Sequence, residues 1–241
     1  MEDLHMYYGW KAKIGLIIPS TGSAPERDFN RYAPDGVAIF TQRVSFEKVD
    51  HDGLSALGDL VVEASRLLAS AEPDLLVFGC TTGSLIKGAG YDKELIERIE
   101  SASGIRAITT STALLEALKA LGAHKIVVST PYSDSVNATE KQFLEDNGFE
   151  VLGIQGLGYT DPRMMPRTTF DKMYKLSKAV LNPAADTVFA SCTGLGIIDY
   201  IPTMEQDFSR PVITSNQVSI WYALRSLGIR DRLNLGHLFD L

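Results

Sequence analysis

Asp74-Leu75-Leu76-Val77-Phe78-Gly79-Cys80-Thr81 and Asp186-Thr187-Val188-Phe189-Ala190-Ser191-Cys192-Thr193 are one passage written twice, 112 positions apart. Each copy is an aspartate, a four-residue run that is apolar or nearly so, a small residue, a cysteine and a threonine. The same offset recurs upstream, where Lys125-Ile126-Val127-Val128-Ser129-Thr130-Pro131 parallels Lys13-Ile14-Gly15-Leu16-Ile17-Ile18-Pro19. Downstream, Val212-Ile213-Thr214 and a helix ending at Leu227-Gly228 echo Ala107-Ile108-Thr109 and Leu121-Gly122. Parallel segments in the same order indicate an internal duplication.

Short apolar runs closed by a breaker read as buried parallel strands. Lys13 to Pro19, Val37 to Phe40, Asp74 to Phe78 and Arg106 to Thr109 are four such runs in the first copy. Between them, Leu54 to Ala69, Tyr91 to Ser101 and Thr112 to Leu121 carry helical patterns, the last stopped by Gly122. The expected fold is therefore α/β, with two pseudo-symmetric halves. Each half is expected to be a parallel four-stranded sheet flanked by helices, over residues 1–122 and 123–241, with the last helix free to pack back on the first half. Ligands bind beyond the carboxyl ends of such strands. Cys80 and Cys192 both stand there, so the active site is expected in the cleft between the halves.

With 45% apolar and 22% charged residues, the 241-residue chain is expected to be an ordinary globular protein. A formal net charge of −7 argues against a nucleic-acid partner and gives no sign of an anionic membrane surface. No stretch is apolar for the roughly 18 residues a membrane span needs. Met1 to Trp10 lacks the basic and apolar regions of a secretory signal. Two cysteines in a chain this long make no disulfide framework, so a cytoplasmic location is expected. The histidines His5, His51, His124 and His237 are scattered without metal-ligand spacing, and no metal is expected. Gly156-Leu157-Gly158 lacks the third glycine of a dinucleotide fingerprint, and no phosphate-binding loop or nucleophile elbow occurs. No cofactor is expected.

A thiol at a strand end, followed by hydroxyls and glycines, has a chemical use. If the chain turns into a helix there, its N–H groups favour an anion and lower the thiol pKa toward neutrality. Thr81, Thr82 and Ser84 supply donors on one side; Thr193 and the backbone near Gly194 and Gly196 supply them on the other. Such a nest suits a carboxylate and the enediolate formed when its α-carbon loses a proton. Tyr132 is a candidate phenol donor, Ser20 and Thr21 hold the equivalent place in the first half, and Arg43 is a candidate partner for a second carboxylate. The plain alternatives are that the cysteines are inert core, that Tyr132 caps the core, that Arg43 is solvated or structural, and that Ser133 and Asn137 cap a helix. Phe46, Val49, Met164 and Met165 are candidates for an apolar side pocket.

Across nearly the whole chain the residues resemble the aspartate/glutamate racemase superfamily, in its arylmalonate decarboxylase and maleate cis-trans isomerase branch. The carrying segments are Ile14 to Thr21, Phe78 to Ser84, Thr110 to Gly122, Thr130 to Asn137 and Ser191 to Leu195. The resemblance implies two α/β halves, a site between them, no cofactor and a small carboxylate substrate, and permits a monomer or a homo-oligomer. It implies that Cys192 matches the decarboxylase's proton-donating cysteine. The oxyanion donors match Thr81, Thr82, Tyr132 and the backbone at Thr193 and Gly194. At Cys80 that enzyme has glycine, whereas racemases and maleate isomerases carry a second thiol. The Pro-Ser-Ser-Asn of maleate isomerases is Pro19-Ser20-Thr21-Gly22 here. The leading expectation is a two-cysteine isomerase or racemase acting on a small carboxylic or dicarboxylic acid, with Cys80 as thiolate and Cys192 as partner acid, or the reverse. The alternatives are an arylmalonate-type decarboxylase using Cys192 alone, and a non-catalytic carboxylate-binding protein.

Overall fold

The duplication in the sequence is a duplication in space. The computed structural model describes residues 7–241. Its first sheet contains β1 (Ala12–Pro19), β2 (Val37–Val44), β3 (Leu75–Phe78) and β4 (Ala107–Thr109) in the order β2-β1-β3-β4. The second contains β5 (Lys125–Tyr132), β6 (Glu150–Tyr159), β7 (Thr187–Ala190) and β8 (Val212–Thr214) in the matching order β6-β5-β7-β8. All pairings are parallel. His5 and most of the Met1–Trp10 stretch lie outside the described residues.

The matched residues do matched work. Asp74 Oδ2 accepts from the Lys13 amide at 2.8 Å, and Asp186 Oδ2 from the Lys125 amide at 2.9 Å. Gly79 N–H donates to Ile17 O and Ser191 N–H to Ser129 O, both at 2.8 Å. These pairs set where the central strands stop, and so where each cysteine stands.

Among the described residues, eight α-helices flank the sheets: α1 (Ala24–Tyr32), α2 (His51–Ala69), α3 (Tyr91–Ser103), α4 (Thr110–Ala120), α5 (Asp134–Asp146), α6 (Phe170–Val180), α7 (Ile201–Phe208) and α8 (Ser215–Ser226). α4 and α8 follow their strands without a loop. Thr109 caps α4 by accepting from the Thr112 amide, and Thr214 caps α8 in a capping box with Gln217. The two helices pack on each other, and α8 also meets α1 of the first half. Leu114, Leu118, Ile220 and Leu224 are buried in the core these helices share, each contributing roughly 1.5–3 kcal/mol. No helix among the described residues is long and apolar enough to cross a membrane.

Three elements differ from the sequence reading. β2 runs on to Val44 through Thr41-Gln42-Arg43, because an edge strand tolerates polar residues. α1 goes unread because it buries little apolar surface beyond Ala24, Pro25 and Phe29. Gly156-Leu157-Gly158 lies within β6, whose three glycines obscure the strand.

Candidate active site

Cys80 and Cys192 each stand two residues past the end of a central strand, and both are buried. They line one small cavity of about 40 Å³ between the two sheets. The loops bearing them are held by the N-termini of α4 and α8. Ser215 Oγ, at the start of α8, accepts from Thr81 Oγ1 at 2.8 Å and from the Cys192 amide at 2.9 Å, so one hydroxyl ties both cysteine loops. Ser111 Oγ donates to Thr81 O at 3.1 Å, and Asn216 Nδ2 donates to Thr193 O at 3.0 Å. Cys192 has φ of +111°, a conformation costing an L-residue about 1–3 kcal/mol. Its bonded amide holds it there.

No α-helix starts after either cysteine. Thr82–Ser84 is a three-residue 3-10 turn, and Thr193 leads into a loop. The expected acidification of the thiols is accordingly reversed. Burial pushes the Cys80 thiol up to about 12, against weaker donation from the Gly83 amide and Thr82. Burial also pushes Cys192 up to about 11, against hydrogen bonds from Tyr132 and the amides of Gly194 and Leu195. Desolvation of a thiolate outweighs a few donors where no cation is near. Burial therefore favours the thiol form of both side chains, whereas the sequence expectation was a thiolate at one of them. Burial likewise holds the Tyr132 phenol well above its ordinary value, so it remains a donor.

Of the expected contact residues, Thr21, Thr81, Thr82, Tyr132, Thr193 and Gly194 line the cavity with the two cysteines. Ser20 and Arg43 do not. Ser20 Oγ accepts from the Phe46 amide at 3.1 Å. Arg43 donates to Ser20 O at 3.0 Å and Gly22 O at 2.9 Å and pairs with Glu26, so it braces the loop after β1. Ser133 occupies the N-cap of α5 without a capping side-chain bond, while Asn137 lies inside the helix and accepts from Thr130 Oγ1 at 2.6 Å.

The remaining wall is apolar: Pro19, Phe46, Val49, Pro162, Met165 and Pro166. Met164 is exposed and lies outside it. None of the lining residues carries a charge. Gly83 and Gly194 must be small, since a Cβ at Gly83 would lie 2.8 Å from Cys80 Sγ and one at Gly194 2.7 Å from Met165 Cβ. The Val49 amide donates to Thr160 O at 3.0 Å, joining the segments after β2 and β6. A cavity of this size takes only a few waters, so a larger ligand requires the surrounding loops to part.

Two buried carboxyl groups escaped the sequence reading, although Glu140 lies 112 positions after Asp28 and the duplication marks both. Asp28 Oδ1 accepts from Arg27 Nε and Oδ2 from Asn216 Nδ2, each at 2.7 Å; burial still raises it to about 6. Glu140 Oε1 accepts from Ser191 Oγ at 2.6 Å, Oε2 has no partner, and burial raises the group to about 7. An unfolded glutamate titrates near about 4.3, so the native state binds this proton more tightly. That stability is fully present below the unfolded pKa and is lost as pH rises through about 7. Relative to the parent, Glu140→Gln is therefore expected to gain melting temperature between about pH 5 and pH 8. A pH-independent difference in thermal unfolding would show that Glu140 does not titrate in this range.

The sequence matches the arylmalonate decarboxylase family across residues 14–239. The arylmalonate decarboxylase of Bordetella bronchiseptica is 30% identical over 233 residues, 94% of this chain and 96% of that protein. A maleate isomerase of Nocardia farcinica is 23% identical over 231 residues, 90% of each chain. A liganded variant of arylmalonate decarboxylase, with one glycine changed to cysteine and one cysteine to serine, superposes with a TM-score of 0.89. It is 29% identical and covers 95% of this chain and 99% of its own. The Nocardia farcinica maleate cis-trans isomerase carrying a covalently bound succinylcysteine intermediate gives a TM-score of 0.90 at 20% identity. Coverage is 95% of this chain and 98% of that one, a likeness of fold.

Proposed function

The chain belongs to the arylmalonate decarboxylase family, and we propose that it decarboxylates a malonate bearing an apolar substituent, with Cys192 as proton donor. The observation that carries this reading is that Cys192 is buried in a cavity hydroxylic on one side and apolar on the other, where desolvation favours its thiol form. A decarboxylase needs a waiting acid, and this group is one. A two-base racemase needs one of its thiols ionised at rest.

One substrate carboxylate is received by the hydroxyls of Thr82 and Tyr132 and by the backbone at Thr193 and Gly194, while Thr81, whose proton goes to Ser215, lines the same side. The substituent packs against Phe46, Val49 and Met165, and the other carboxylate lies beside it on this apolar side, where nothing solvates its charge. As its bond to the α-carbon breaks, carbon dioxide leaves and the electron pair passes into the held carboxylate, giving the enediolate. Hydroxyl donors favour that charge. The Cys192 S–H then protonates the α-carbon, and solvent ultimately replaces the proton. Maleate has no apolar substituent to match the wall, and the isomerase reading loses ground on that account.

A second reading has one supporting observation, the presence of Cys80 on the same cavity. A thiol there gives the α-carbon a second proton source, so racemisation or isomerisation would accompany or replace decarboxylation. Heavy-water incubation with phenylmalonate, maleate, aspartate, glutamate and hydantoins, followed by proton NMR, separates the readings. Loss of carbon dioxide with a single deuterium in the product is expected from phenylmalonate. Isomerisation of maleate or exchange of an amino acid's α-proton, without decarboxylation, would move the protein to the two-thiol reading. Binding with no turnover would leave a carboxylate-binding protein.

A further inference from the structure

Glu140 is fully buried, takes no part in the chemistry described above, and presents an Oε2 atom without a partner. Its other oxygen is held by the hydroxyl of Ser191, the residue before Cys192. Its charge is felt by both the Cys192 thiol and the Tyr132 phenol. The titratable groups facing it are therefore Tyr132 from β5 and Cys192 from the end of β7. No Lys, Arg or His contributes to its ionisation. Lys141 and Glu145 of its own helix pair with each other near the surface, and Glu150 of β6 pairs with Lys125.

The duplication provides an internal comparison. Asp28, the equivalent residue of the first half, has both oxygens bonded, and the position equivalent to Ser191 is Gly79. Only the Cys192 side keeps a carboxyl group with an uncommitted oxygen. A buried carboxyl oxygen without a protein partner calls for an explanation, and here it lies one residue's hydrogen bond away from the cysteine loop.

We propose that Glu140 is a positioning residue that holds a proton for Cys192, restoring the thiol after each turnover, and that once ionised it opposes the thiol's ionisation. The restoring step rests on the decarboxylase reading. Decarboxylation of a malonate dianion consumes one proton, which the Cys192 S–H bond delivers to the α-carbon. The thiolate left behind is buried among uncharged residues. The Oε2–H bond of Glu140 then breaks, its proton passes to the Cys192 sulfur, and the carboxylate is held by Ser191 until solvent reprotonates it.

The test is Glu140→Gln, which keeps an acceptor for Ser191 and cannot ionise, made in full-length protein with and without Cys80→Ala. With Cys80→Ala, Cys192 is the remaining thiol and its ionisation is read by thiolate absorbance against pH, without substrate. Glu140→Gln is expected to move that titration down by about one pH unit, since an ionised carboxylate no longer opposes the thiolate. With phenylmalonate, Glu140→Gln alone is expected to complete its first turnover at the parent rate, then slow about tenfold, a scale typical of a lost proton-transfer group. An unchanged thiol titration overturns the proposal whatever the activity. A shifted titration with no burst and unchanged steady state overturns the proton-restoring step. If the parent decarboxylates no malonate, the decarboxylase reading fails, and the thiol titration still decides whether Glu140 governs Cys192.

Discussion

Cys192→Ala is expected to lower phenylmalonate decarboxylation by about a thousandfold, within the range found when a positioned general acid is removed. The hydroxyl nest and apolar wall survive the change, so substrate still binds and an enediolate still forms, but the donor on the Cys192 face is gone. KM is expected to stay within about threefold while kcat falls, the pattern of an interaction made only in the transition state. Cys80→Ala is expected to retain most of the decarboxylation and to lose whatever racemisation or α-proton exchange the parent shows. Carbon dioxide release and the deuterium content of the phenylacetate formed in heavy water read both variants. Equal loss of decarboxylation in the two would mean that both thiols are required, and the one-donor mechanism would be abandoned.

Ser215→Ala is expected to be the most damaging change outside the cavity wall. It removes the acceptor shared by Thr81 Oγ1 and the Cys192 amide. Each buried donor left unpaired costs about 1–3 kcal/mol, so a loss of roughly 2–4 kcal/mol is expected, visible as several degrees of melting temperature. The positive φ of Cys192 then loses the bond that maintains it, and the thiol moves away from the hydroxyl nest. Displacement of a reacting group by about 1 Å costs on the order of a hundredfold in rate. Ser215→Thr, which keeps the hydroxyl, is expected to recover much of both losses. Thermal unfolding and steady-state decarboxylation on the same preparations give the answer. A fall in stability with unchanged turnover would make Ser215 a packing residue only.

Much of the architecture can be read from local pattern, because strand runs, breakers and repeated residues act over a few positions. Asp74 and Asp186 mark matched strand starts, Pro19 and Pro131 matched strand ends, and Cys80 and Cys192 matched places beyond them. Two strand-end thiols in duplicated halves were enough to direct attention to one cleft. The elements that escaped were those whose pattern is weak, α1 with few apolar residues and β6 with its glycines.

What residues do at the site depends on non-local neighbours, and there the chain order is uninformative. Ser215 lies 134 residues from Thr81 and 23 from Cys192, yet its hydroxyl bonds both. Arg43 looks like a carboxylate anchor in the sequence and is occupied by Glu26 and two carbonyls in the fold. The thiols sit beside hydroxyls and glycines, which suggests acidity, but burial without a nearby cation drives both pKa values up. The duplication therefore marks where the chemistry stands. Desolvation, an interaction of each group with everything packed around it, decides that both cysteines favour the thiol form there.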